Sequence, residues 1–146
     1  KYCCDAYLFY KVRRQDLKGK QILATNEKYY ISDHGIREAV FGGNMRDINL
    51  VLENIVCLDA LRRGYTVTVG KVGDKEIDFV CDKRGEKIYI QVCVTLPESS
   101  SRETDNLADI HDHYHKYVVC KDALACGNVD GIEIIHIADF LLKESW

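Results

Sequence analysis

The stretch EIDFVCDKRGEKIYIQVCV, residues 76–94, sets an acid on one apolar segment and an amide on the next. Period-two alternation puts Ile77, Phe79 and Cys81 on one face of the first segment and Glu76, Asp78 and Val80 on the other. On the second, Ile88, Ile90, Val92 and Val94 share a face opposite Tyr89, Gln91 and Cys93. With Arg84–Gly85 as a two-residue turn, Asp82 faces Lys87, Asp78 faces Gln91 and Glu76 faces Cys93. Two adjacent oxygen-bearing side chains can contribute to a hard-cation site of the kind that activates phosphodiester cleavage. The plainer alternative is two polar residues bonding each other or solvent on a wet face. A third oxygen is expected from the preceding helix, where Glu53 flanks the apolar stripe and Asp59 lies nearer its centre; periodicity leaves both open.

The elements that must carry these residues are legible in outline. Residues 1–16 read as a helix feeding a short strand, and DLKGK around Gly19 as a turn. KYYISD, residues 28–33, reads as a strand, with Ser32 or Asp33 capping a short helix that stops at Gly42–Gly43. From Asp47 to Arg63, Ile48, Val51, Leu52, Ile55 and Leu58 recur at helical spacing, and Gly64 supplies the left-handed stop. YTVTVG is a half-buried strand leading into the hairpin. Residues 99–112 read as a serine-capped helix with Leu107 and Ile110 on its apolar face. YHKYVVCKD is a strand, Asp130–Gly131 a turn, and residues 131–146 a last strand followed by a helix from about Ala138. This order specifies an α/β domain.

Composition narrows the function classes. At 146 residues the chain is one domain of ordinary size, 47% hydrophobic and 29% charged. A net charge of −3 gives no global basic field for non-specific duplex binding, though it leaves room for a local basic cleft. No run approaches the roughly 18 apolar residues of a membrane span. The seven cysteines form no C-x-x-C pair and sit largely in apolar runs, as free thiols of a reducing cytoplasm do. The opening KYCCDAYLFYKVRRQ reads as part of a helix in a longer protein.

The segments EKYYISDHGIREAVFG, LENIVCLDALRRGYTVTVG, EIDFV, KIYIQV, RETDNLADI, YHKYVV and DGIEIIHIADFLL, in that order, resemble the C-terminal domain of unknown function of prokaryotic AAA+-type ATP-binding proteins. That domain is grouped with the PD-(D/E)XK, restriction endonuclease-like fold, whose core is a central mixed β-sheet flanked by helices. The resemblance covers nearly the whole chain. It implies that residues 1–27 end a connecting helical segment and that 28–146 form the nuclease-like domain. It implies an N-terminal AAA+ ATPase domain in the parent chain as partner. It assigns Glu53, Asp78 and Gln91 as catalytic and Mg²⁺-binding residues for hydrolysis of DNA. The motif asks for a lysine two residues after the third-strand acid, where this chain has Cys93, which cannot serve as a cation. Lys71, Lys75, Lys87 and Lys116 are the candidate substitutes. The alternative is a catalytically degenerate module that binds nucleic acid or protein and regulates the ATPase. No G-x-x-x-x-G-K-S/T occurs, so no P-loop ATP site is expected in this chain.

Two further clusters invite a functional reading. Arg62, Arg63, Arg102 and Lys116 would make a phosphate-binding rim, against the plainer reading of a solvated helix end. His111, His113 and His115 offer imidazoles for zinc or nickel, against the plainer reading of a solvated turn between helix and strand.

Overall fold

The computed structural model describes residues 1–42, 47–96 and 102–146, with the Arg102 side chain outside the described set. In chain order the elements are α1 (Tyr2–Asp5), β1 (Phe9–Asp16), β2 (Gln21–Ile31), α2 (His34–Phe41), α3 (Ile48–Arg62), β3 (Thr66–Val72), β4 (Lys75–Lys83) and β5 (Glu86–Cys93). They continue with α4 (Arg102–Ala108), β6 (His115–Cys120), β7 (Gly127–Val129), β8 (Ile132–His136) and α5 (Ile137–Leu142). The eight strands form one mixed sheet in the order β2-β1-β3-β4-β5-β6-β8-β7. β1/β3, β5/β6 and β6/β8 are parallel, and the remaining pairs antiparallel. The α/β class and the central mixed sheet flanked by helices are as expected.

Helices cover both faces. Leu52, Val56 and Ala60 of α3 and Phe140 of α5 pack with Val12, Phe79, Ile90 and Val119 on one face. Leu107 of α4 and Ile110 just beyond it pack with Ile77, Val80, Tyr89 and Val118 on the other. Burial on both faces explains why β4, β5 and β6 read as almost continuous apolar runs.

Several local expectations hold for identifiable reasons. Asp33 caps α2 by accepting from the Gly35 N–H at 2.6 Å. α3 ends with Gly64 at φ 83°. Beyond it the Tyr65 N–H bonds the Ala60 carbonyl and the Gly64 N–H bonds Leu61, the paired closure that a left-handed residue permits. Asp130 and Gly131, at φ 50° and 83°, turn the chain into β8 from β7, a short edge strand that the sequence did not announce. The serine cap expected before α4 lies outside the described residues.

The connecting helical segment expected over residues 1–27 is corrected. Only one turn, Tyr2–Asp5, is helical. β1 and β2 instead form a hairpin whose inner strand lies parallel to β3, so residues 9–27 belong to the same sheet as the rest. The two strands pair with each other and β1 with β3, and each buries a single residue, Val12 and Tyr30, against the core.

The strict alternation expected along β4 is broken once. Thr68 pairs with Val80 and Gly70 with Ile77, so Asp78 and Phe79 together oppose the single residue Val69. This bulge puts Ile77 on the face of Val80, opposite Phe79 and Cys81. Gly70 permits it, because a Cβ there would lie 2.8 Å from Val80 Cγ2 and 3.0 Å from Ile77 Cβ. Gly70→Ala is therefore expected to lower stability by about 1–3 kcal/mol, read as a fall in the denaturant midpoint at unchanged slope.

Candidate functional site

The hairpin register holds as expected from its turn, where Arg84 and Gly85 have φ 56° and 88°, through Phe79↔Ile90. There the ladder stops. Gln91 Oε1 accepts from the Asp78 backbone N–H at 3.3 Å, and the Val92 N–H donates to Asp78 Oδ2 at 2.8 Å. Each side chain replaces a ladder partner on the other strand, and both residues are only 7% exposed. Asp78 and Gln91 are thus brought together, with one lone pair of the Gln91 oxygen spent on holding Asp78.

The helix acid is Glu53. The buried positions of α3 are Leu52, Glu53, Asn54, Val56, Cys57 and Ala60, a face turned part-way from the expected stripe, of which Leu52 is buried, Ile48 packs against the core, and Val51, Ile55 and Leu58 are half-buried. Asp59 instead receives Arg62 and Arg63 at 2.6 and 2.7 Å. The turned face is set by its polar members. Asn54 accepts from the Ile31 N–H and donates to the Ile31 carbonyl, both at 2.8 Å, closing the outer edge of β2. Glu53 accepts from Asn49 Nδ2 at 3.0 Å.

A cation reaches these acids from the first hairpin. Lys28, on β2, sets its ammonium 2.7 Å from Glu76, 3.5 Å from Glu53 and 4.0 Å from Asp78. Arg14 of β1 is also bonded to Glu76. None of the lysines expected as substitutes does this: Lys75 pairs with Asp109 at 2.8 Å, and Lys87 lies toward the turn opposite Asp82. Lys71 is exposed, and Lys116 is level with Tyr89, two residues from the Gln91 level. The signal for Lys28 was present but faint: alternation places it on the same strand face as the buried Tyr30.

A fourth carboxylate joins these. Glu103, in the first turn of α4, acts electrostatically on both Glu53 and Asp78. Its Oε2 and the hydroxyl of Tyr30 are buried without a hydrogen-bond partner among the described residues. Tyr30 in turn feels the Glu53 and Asp78 charges. Among the described residues the carboxyl groups of Glu53, Glu76, Asp78 and Glu103 outnumber Lys28 and Arg14, the two cations bonded within this group.

The ionisation equilibria follow. Burial, then the Glu53 charge, pushes Asp78 up to about 7 against the Val92 N–H and Lys28. Burial also raises Glu53, with Lys28 opposing. Glu76, though burial works to raise it, is held low by Lys28 and Arg14. Burial works to lower Lys28, but its bond to Glu76 and the charges of Glu53 and Asp78 prevail and hold it protonated. Cys93, pushed up to about 12 chiefly by burial, stays a neutral thiol.

The expected phosphate rim is not assembled. Arg62 is bonded to Asp59, and Arg63 ties the end of α3 to the C-terminal segment, bonding the Leu141 carbonyl at 2.8 Å and stacking 4.5 Å from the Trp146 ring. The Arg102 side chain lies outside the described residues, and Lys116 sits on β6 opposite Tyr89. His111, His113 and His115 are exposed along a bend that enters β6, in keeping with the turn reading. Among the described residues no three His, Cys, Asp or Glu side chains are gathered closely enough, as they stand, to hold a metal ion. None of the described helices is long and apolar enough to cross a membrane.

Comparison with protein-family models gives no match, and no solved structure matches. An uncharacterized protein of Haemophilus influenzae is 44% identical over 139 residues, covering 95% of this chain and 34% of the relative. The chain spans about a third of that relative's length.

The Asp78 ionisation predicts a pH signature. An acid whose folded pKa lies above its unfolded value binds more protons when folded, so its contribution to stability falls as pH rises from about 4 to about 7. Asp78→Asn keeps an oxygen for the Val92 N–H and removes the charge. Its stability relative to the native chain is expected to grow over that interval, reaching roughly 1–4 kcal/mol by pH 8, by urea unfolding at each pH.

Proposed function

We propose that this chain is a nuclease-like module of the PD-(D/E)XK type, acting on nucleic acid phosphodiesters with a divalent cation, Mg²⁺ being the natural one. Supporting it is the ammonium of Lys28 set among Glu53, Glu76 and Asp78, with these carboxyl groups outnumbering the cations paired to them. The donors are hard oxygens, which suit Mg²⁺ or Mn²⁺. The buried, unpartnered Oε2 of Glu103 fits a missing cation.

In this reading Glu53 and Asp78 would hold the cation, with Glu103 supplying the carboxylate that Gln91 lacks once the three are drawn closer than they now stand. The cation, when bound, lends Lewis acidity to the scissile phosphate and lowers the pKa of an attacking water. The chain's own groups do the rest. Gln91 fixes Asp78 through its backbone N–H. Lys28, protonated throughout the neutral range, takes the place of the motif lysine and sets a positive charge beside the phosphate oxygens. The two departures from the motif, Gln91 and Cys93, are thereby made good from α4 and β2. As the C-terminal part of a longer AAA+-type ATP-binding protein, the module would take its partner from the same chain; a relative about three times as long supports that arrangement.

Lys28 also favours the second reading, because an ammonium among carboxylates is how a site that has lost its metal is neutralised. Calorimetric titration with Mn²⁺ separates the two. The nuclease reading expects one site, abolished in Glu53→Gln and Asp78→Asn and tightened in Lys28→Gln, since the competing cation is gone. The same Lys28→Gln chain is expected to cleave single-stranded, duplex or branched DNA at least tenfold more slowly. Absence of Mn²⁺ binding by the native chain, or cleavage that survives Asp78→Asn, would leave only the degenerate module.

A further inference from the structure

Beside the carboxylates, between the outer edge of β2 and helices α2 and α3, lies a groove of about 490 Å³. Phe9, Tyr29, His34, Phe41 and Leu50 line it, and Lys28 and Glu53 share its wall, so it is continuous with the candidate site. Its apolar members are held out of the core: Tyr29 is 56%, Leu50 60% and Phe41 79% exposed. Exposed apolar surface of this size, rimmed by polar groups, marks a contact for something else. His34 adds a specific signal. Its Nδ1 is buried with no hydrogen-bond partner among the described residues, while its Nε2 lies 3.5 Å from Asn54 Nδ2.

The charges around the groove bear on the occupant. Arg37 is committed to Glu38 and Asp47, Arg14 to Glu76, and Lys28 to three carboxylates. A duplex is held through its phosphates by free cations, which this wall does not offer. A flat heterocycle with donor and acceptor edges needs apolar and aromatic walls and a few polar atoms, which it does.

We infer that this groove binds the base of an unpaired nucleotide, so that the substrate is a single strand or a frayed end. The inference rests on the nuclease reading only for what happens at the adjoining phosphate. A base in the groove, packed against Phe41 and Leu50 with an edge toward His34, sets the neighbouring phosphodiester beside Lys28. Stacking supplies the binding that the paired cations cannot.

The test is fluorescence anisotropy of the native chain with a labelled single-stranded oligonucleotide of about ten nucleotides, and with its duplex, in Ca²⁺ and in EDTA. The single strand is expected to bind at least tenfold tighter than the duplex. Phe41→Ala is expected to weaken it roughly tenfold and Phe41→Trp to retain it. Phe41 is largely exposed, so these variants test contact with little effect on folding. Equal or tighter duplex binding, or unchanged affinity in Phe41→Ala, overturns the inference. So does a dimer in sedimentation that Phe41→Ala dissociates in a chain binding no oligonucleotide, which would make the groove an interface between copies. Mn²⁺ titration in parallel keeps the failures apart: metal binding without Phe41 dependence sinks the groove alone, and Phe41-dependent binding without metal sinks the nuclease reading alone.

Discussion

Everything at the candidate site depends on a single exchange between strands β4 and β5. At Asp78 the backbone ladder gives way, and two side chains take over its hydrogen bonds. An aspartate buried in an apolar sheet would ordinarily be a serious cost. Here the carboxylate spends one oxygen on the Val92 N–H, and Gln91 returns the favour to the Asp78 N–H. The bulge opposite Val69 breaks the alternation beside the acid, setting Phe79 on the face opposite Ile77. Lys28 then answers the charges that Asp78, Glu53 and Glu76 bring together.

The sequence disclosed the parts whose physics is local. The turn at Arg84–Gly85, the register up to Phe79↔Ile90, the cap at Asp33 and the stop at Gly64 each follow from one or two residues and their neighbours. The nearness of Asp78 and Gln91 also followed from the hairpin register, although the ladder ends before them and they meet through a side chain and a backbone N–H. Periodicity has no means of showing where a strand will fold two side chains to the same side. The bulge is licensed by Gly70, a residue on the neighbouring strand.

What stayed hidden was mostly non-local. Lys28 lies 25 residues before Glu53 in sequence and meets it only because β2 occupies the sheet edge beside α3. Glu103 arrives from the opposite layer. The buried face of α3 escaped a hydrophobicity argument because two of its members, Glu53 and Asn54, are polar and are buried for their hydrogen bonds. Apolar periodicity located the helix and misjudged its rotation, since polar groups with committed partners outvoted the larger aliphatic side chains. The arginines at the end of α3 were misjudged for the converse reason. Their positive charge suggested a ligand, whereas Asp59, Trp146 and backbone carbonyls already use it.

The clasp of Asn54 on Ile31 has a mechanical meaning. It joins the residue next to Glu53 to the strand that carries Lys28, through two bonds that allow little rotation. Helix and edge strand are therefore fixed against each other at this point. The spacing of the acid and the ammonium is set by a neutral amide gripping a peptide group, so the charged residues need not supply their own alignment.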